Sequence, residues 1–123
     1  MPTFDHANLG VPEGGIEAES VFLVDILGYR RVAAPPDIEA RFHPTWFEAD
    51  DGTQVHLSVD PDHRPAERAH TAVRLGDDLG PAEARLLAAG HRFAVIEGAR
   101  GRVLFAKDPA GNRWELIGPP VSG

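Results

Sequence analysis

The sequence repeats itself once, and a chain built from two copies of one small unit has to fold each copy in much the same way. Asp5-His6-Ala7-Asn8-Leu9 has a counterpart in Ala69-His70-Thr71-Ala72-Val73, and both read as short strands. A segment of helical spacing follows each. Glu13 to Leu27 carries Ile16, Val21, Val24 and Leu27 as its apolar positions, and Gly80 to Ala89 carries Ala82, Leu86, Leu87 and Ala89. Leu27-Gly28-Tyr29-Arg30 then matches Ala89-Gly90-His91-Arg92, with a glycine placed to supply the left-handed backbone of a helix end. The run from Trp46 through Asp51-Gly52 to His56-Leu57 parallels the run from Leu104 through Asp108-Pro109-Ala110-Gly111 to Glu115-Leu116, with one residue inserted. Both are hairpin sequences, because Pro presets an early turn position and Gly tolerates positive φ at a later one.

Each copy is therefore a βαβββ module. The fold class predicted is α+β, with two βαβββ modules forming a curved mixed sheet and one helix per module on its outer face. Module 1 covers about residues 3–59 and module 2 about 68–118, joined by the polar, proline-broken linker 60–67. At 123 residues, 42% apolar and 25% charged, the chain suits one domain, 1–123. Between residues 31 and 44, around Ala33-Ala34-Pro35-Pro36-Asp37, strand and loop fit equally well. Sheet edges left by such modules favour a homodimer.

Twelve basic residues against 19 acidic ones leave a net charge of −7, a sign that repels phosphate backbones and argues against a nucleic-acid partner. No apolar run approaches the roughly 20 residues of a membrane span. The N-terminal residues lack the features of a signal peptide, so the expected location is cytoplasmic. Cysteine is absent, so a bound metal must use nitrogen and oxygen donors.

Four polar residues occupy matching strand positions in the two copies: His6 with His70, and His56 with Glu115. Alternation puts Val55, Leu57 and Val59 on one side of the fourth strand and Gln54, His56 and Ser58 on the other. By the same rule His70 and Arg74 oppose Thr71 and Val73, Glu115 and Arg113 oppose Trp114 and Leu116, and His6 and Asn8 oppose Ala7 and Leu9. A lone strand histidine is usually solvated, but four donors at equivalent places on one face make His6, His56, His70 and Glu115 candidate ligands of a single divalent ion. Imidazole and carboxylate suit Zn, Ni, Mn or Fe(II). Around it Asn8, Gln54, Ser58, Arg74 and Arg113 are expected to contact a small-molecule substrate, with Trp46 and its counterpart Leu104 lining the cavity and Arg100 and Arg102 at its rim. His43, His63 and His91 lack this support.

At these residues the sequence resembles the vicinal oxygen chelate superfamily, which includes glyoxalase I, the extradiol dioxygenases, the fosfomycin-resistance proteins and the bleomycin-resistance binding proteins. The run Leu104 to Leu116 is similar to the family's closing hairpin, whose acidic residue is the last metal ligand. The segments around His6, Gly28 and His70 resemble its opening strand, first helix end and fifth strand. The resemblance implies His6, His70 and Glu115 as ligands, the set extradiol dioxygenases use for Fe(II). It places His56 where glyoxalase I has a glutamate implicated in proton transfer. Glu115 and His56 are then the catalytic candidates. The activity implied is a metal-dependent, glyoxalase-like reaction of the lyase or isomerase type on a small oxygenated molecule chelated to the ion. An extradiol-type Fe(II) dioxygenase and a binding protein that sequesters a small molecule or antibiotic without catalysis are the alternatives.

Overall fold

Among the described residues, short runs of alternating apolar and polar side chains give eight strands, and the way they pair decides which residues share a face. The computed structural model describes residues 1–121. The chain divides into two compact units that meet between Arg64 and Pro65, inside the segment expected to be the linker.

In the first unit β1 (His6–Val11) leads into α1 (Ile16–Val21), which continues as a wider π-helical stretch over Phe22–Leu27. There follow β2 (Arg30–Val32), α2 (Pro36–Phe42), β3 (Thr45–Glu48) and β4 (Gln54–Val59). The sheet order is β1-β4-β3-β2, with β1 parallel to β4 and the other pairs antiparallel. Gly28 ends the long helix at φ 92°, where a side chain would strain the backbone. The helix buries Glu19, Phe22, Leu23 and Ile26, while Val21 and Val24 are exposed. The buried residues keep i, i+3, i+4, i+7 spacing with Glu19 at their head, so the inward stripe is not the Ile16, Val21, Val24 and Leu27 expected from the sequence.

The first module also holds a second helix, α2, in the segment where the sequence left strand and loop open, so one helix per module does not hold for it. Pro36 stands at the start with Asp37 and Glu39 in the first turn, a favourable helix opening. None of its residues is buried, so it lacks the apolar stripe by which a helix is recognised.

In the second unit β5 (His70–Arg74) is followed by a 3₁₀ turn (Gly76–Asp78), α3 (Leu79–Ala88), β6 (Phe93–Gly98), β7 (Gly101–Lys107) and β8 (Arg113–Ile117). The order β5-β8-β7-β6, with β5 parallel to β8, repeats the first sheet. Leu79, Ala82 and Leu86 of α3 are buried, as are Leu104, Ala106, Trp114 and Leu116 of the sheet. Buried Asp108 ties the β7–β8 turn to this core. Its Oδ2 accepts the indole N–H of Trp114 at 3.0 Å and its Oδ1 the backbone N–H of Asn112 at 2.8 Å.

The two hairpins are of equal length. Ala49 N–H donates to Thr53 O and Gly52 N–H to Ala49 O; Asp108 N–H donates to Asn112 O and Gly111 N–H to Asp108 O. Trp46 pairs with His56, and Phe105 pairs with Glu115. The expected one-residue insertion is absent, so the counterpart of Trp46 is Phe105 and not Leu104. Among the described residues no helix is long and apolar enough to cross a membrane.

Candidate functional site

In the first unit, β4 lies between β1 and β3, so a side chain on its polar face meets neighbours from both. His56 stacks on His6 with ring centroids 4.1 Å apart and planes 20° from parallel, and on Trp46 at 4.1 Å and 6°. Gln54 Oε1 partners His56 Nε2 at 2.8 Å while its amide donates to Glu48 Oε1 at 3.0 Å. Arg30 completes the chain, reaching Glu48 at 3.6 Å and Asp50 at 2.5 Å. His6 Nδ1 meets Asp5 Oδ2 at 2.7 Å, and the Ser58 hydroxyl donates to Asn8 Oδ1 at 3.0 Å. Burial, reinforced by the neighbouring His6 ring and partly opposed by Asp5, lowers the His56 pKa from its ordinary value of 6.5. Near neutral pH its ring is therefore uncharged.

In the second unit, His70 and Glu115 come together across β5 and β8, with Nε2 to Oε1 at 3.1 Å. His70 Nδ1 donates to the Arg68 carbonyl at 2.9 Å. In a neutral imidazole that bond puts the ring's one proton on Nδ1 and leaves the Nε2 lone pair facing a carboxylate oxygen. A proton on Nε2, in an imidazolium–carboxylate hydrogen bond, or a divalent cation held by both atoms would satisfy the pair. Metal-binding histidines are generally oriented this way, with the second ring nitrogen held by a carbonyl or a carboxylate. His6, on Asp5, is anchored by the same nitrogen. The donor chemistry of both histidines therefore fits a divalent ion.

Phe105 stands edge-on to His70 at 5.8 Å between centroids and at 79°, and the Arg113 guanidinium lies over the Phe105 ring at 4.6 Å. A cleft of about 560 Å³ opens there, lined by Phe105 and Arg113 among others. A second, of about 280 Å³, includes Arg74 and Arg100.

The expected residues thus sort into two pairs of donors with surroundings. His6 and His56 gather with Trp46, Gln54, Asn8 and Ser58 nearby, and His70 and Glu115 gather with Arg113. Among the described residues no three His, Asp or Glu side chains form a group able to hold a metal ion. Leu104 is fully buried among core residues on the opposite face of the sheet and cannot line a cavity beside Glu115. Arg102 is likewise not a free rim charge. It binds Glu83 through two nitrogens and Glu97 through a third, and these hydrogen bonds, Glu83 first, raise its pKa. Phe105 and Glu48 were not singled out from sequence, although equal hairpin turns would have put Phe105 opposite Glu115.

A sequence profile described as a glyoxalase-like domain matches residues 11–117. Among curated proteins no sequence matches the chain. Solved structures do. A protein assigned to the glyoxalase family from Bacillus anthracis superposes with a TM-score of 0.81 at 22% identity, over 97% of this chain and 96% of that one. A glyoxalase/dioxygenase from Nostoc punctiforme gives 0.75 at 22%, over 97% and 92%. A variant of the fosfomycin resistance protein FosX from Listeria monocytogenes, complexed with Mn(II) and 1S,2S-dihydroxypropylphosphonic acid, gives 0.79 at 16%, over 98% and 95%. At these identities the likeness is one of fold.

Proposed function

We propose, from the premise that this chain belongs to the glyoxalase-like domain family of the vicinal oxygen chelate superfamily, that it is a metal-dependent enzyme of the lyase or isomerase type acting on a small oxygenated molecule. The observation that carries the reading is the His70–Glu115 pair, with Nε2 3.1 Å from a carboxylate oxygen while Nδ1 is held by the backbone. His70 and Glu115 would hold the ion, with His6 and His56 the candidate donors of the first unit, and imidazole and carboxylate suit Zn, Ni, Mn or Fe(II). When bound, a divalent ion supplies Lewis acidity, drawing two neighbouring substrate oxygens to it and easing the negative charge that develops on them.

The chain's own groups supply the proton handling. Glu115 gives one oxygen to His70 and keeps the other for a proton moved at the carbon beside a substrate oxygen. His56 would be the second group able to accept one only when it is not bound to the ion, and the Gln54–Glu48–Arg30 chain fixes its ring. Asn8, Ser58, Trp46 and Arg113 would contact the substrate. Assembly as a homodimer is part of the reading, since each sheet ends in unpaired edge strands.

Metal analysis tests the reading. Purified full-length protein dialysed against Zn, Ni, Mn or Fe(II) should retain about one equivalent of one of them. His70→Ala and Glu115→Gln should each weaken retention about tenfold or more. No retained metal, with His70→Ala indistinguishable from the parent, would overturn it. Turnover of α-dicarbonyl adducts or epoxides supports the lyase or isomerase class, and oxygen consumption with catechols the dioxygenase instead. A ligand bound tightly and recovered unchanged makes the protein a sequestering one.

A further inference from the structure

One transverse row of the second sheet is crowded with positive charge. Register sets His70 opposite Arg113 and Arg113 opposite Lys107. Arg92, one step before the Phe93–Ala106 pair, stands level with Lys107. Four strands thus present His70, Arg113, Lys107 and Arg92 abreast. Like charges directly opposite one another destabilise a sheet, yet among the described residues no carboxylate forms an ion pair with Arg92, Lys107 or Arg113. All three line the cleft of about 560 Å³, with Phe105 as its aromatic wall.

The first unit provides an internal control. Its corresponding row is His6, Gln54, Glu48 and Arg30, set by the same pairings. There the single cation is neutralised by Glu48 and Asp50. At the equivalent places of the second unit, Glu48 is replaced by Lys107, Asp50 by Pro109 and Gln54 by Arg113. Each change removes a negative charge or adds a positive one. The same contrast runs through the whole sequence: residues 1–64 hold 12 of the 19 acidic and 4 of the 12 basic residues, which leaves eight basic against seven acidic in the remainder. The row is uncompensated in one copy and balanced in the other, so the side chains and not the shared backbone account for the difference.

We propose that Arg92, Lys107 and Arg113 form an oxyanion subsite, which takes the charged end of an anionic small molecule whose apolar part lies against Phe105. Arginine offers paired donors to such a group and lysine a point charge. Because Phe105 and Arg113 border His70 and Glu115, the substrate class becomes an oxygenated molecule with a phosphate, phosphonate or carboxylate terminus. That last step rests on the metal-dependent reading above; the anion site itself does not.

The test uses the full-length chain stripped of metal, in low-salt chloride buffer, titrated calorimetrically with inorganic phosphate and with benzoate. The two arms tell a tetrahedral oxyanion from a carboxylate. Saturable binding of either at one site is expected. Lys107→Gln and Arg113→Gln should each weaken it about tenfold, while Arg41→Gln, which removes one positive charge from α2, should change it less than about twofold. Lys107→Glu should abolish binding and, by supplying the carboxylate that the first copy already has, raise the melting temperature by about 2–4 °C without anion. Binding of neither anion, or an equal loss in Arg41→Gln, overturns the proposal. Metal retention is measured on the same preparations. Anion binding without metal retention leaves the subsite standing and removes the metal reading, and the reverse pattern removes the subsite alone.

Discussion

Tyr29, beside the glycine that ends the long helix, is the only tyrosine in the sequence, so its ionisation can be followed alone. Burial, with the Asp51 carboxylate adding to it, raises its pKa above the ordinary 10.0. The folded state thus favours the neutral phenol. The stability this group contributes is complete below pH 10 and is lost as the pH rises through its elevated value. A spectrophotometric titration should place its midpoint above 10; a midpoint at or below 10 would contradict the burial. At this same scale the faces of His6, His56, His70 and Glu115 were legible in the sequence, because strand alternation fixes them without any tertiary knowledge. Leu104 was misplaced for the converse reason. A slip of one residue in aligning the two hairpins carries a side chain to the opposite face, and only the hydrogen bonds of the two turns fix the alignment.

Among the elements, the β7–β8 hairpin depends most on a single side chain. Asp108→Ala removes the acceptor of both the Trp114 indole and the Asn112 amide at a buried position. It should cost about 2–3 kcal/mol in chemical denaturation, whereas Asp50→Ala, at the exposed tip of the other hairpin, should cost less than about 1 kcal/mol. Gly28→Ala forces an L side chain to a φ of 92° and should cost about 1 kcal/mol or more. A loss below 0.3 kcal/mol, roughly the error of such a measurement, would mean that the turn relaxes. Helices were less legible than strands. α2 has no fully buried residue, and the long helix turns Glu19, Phe22, Leu23 and Ile26 inward in place of the expected Val21 and Val24. Strand pairing followed from turn chemistry, and helix faces followed from packing that a single sequence does not display.

For the molecule as a whole, the net charge of −7 conceals two differently charged halves. An overall negative charge argued against nucleic acid, but that average said nothing of the basic row in the second unit. If oxyanions bind there, raising NaCl from about 20 to 200 mM should weaken phosphate binding several-fold, since the Debye length shrinks from about 20 to about 7 Å; affinity independent of salt would contradict an electrostatic subsite. Metal loading should raise the melting temperature by several degrees in the parent and not in His70→Ala, because a ligand that binds only the folded chain stabilises it by mass action. Equal turn lengths carry a consequence for descent. The two hairpins are interchangeable parts, so specialisation of the second copy required no remodelling of its backbone, only new side chains on an inherited frame. Writing the first copy's Glu, Asp and Gln back at positions 107, 109 and 113 would give a chain whose two transverse rows are electrically alike and in which Arg92, like Arg30, has nothing left to offer a guest.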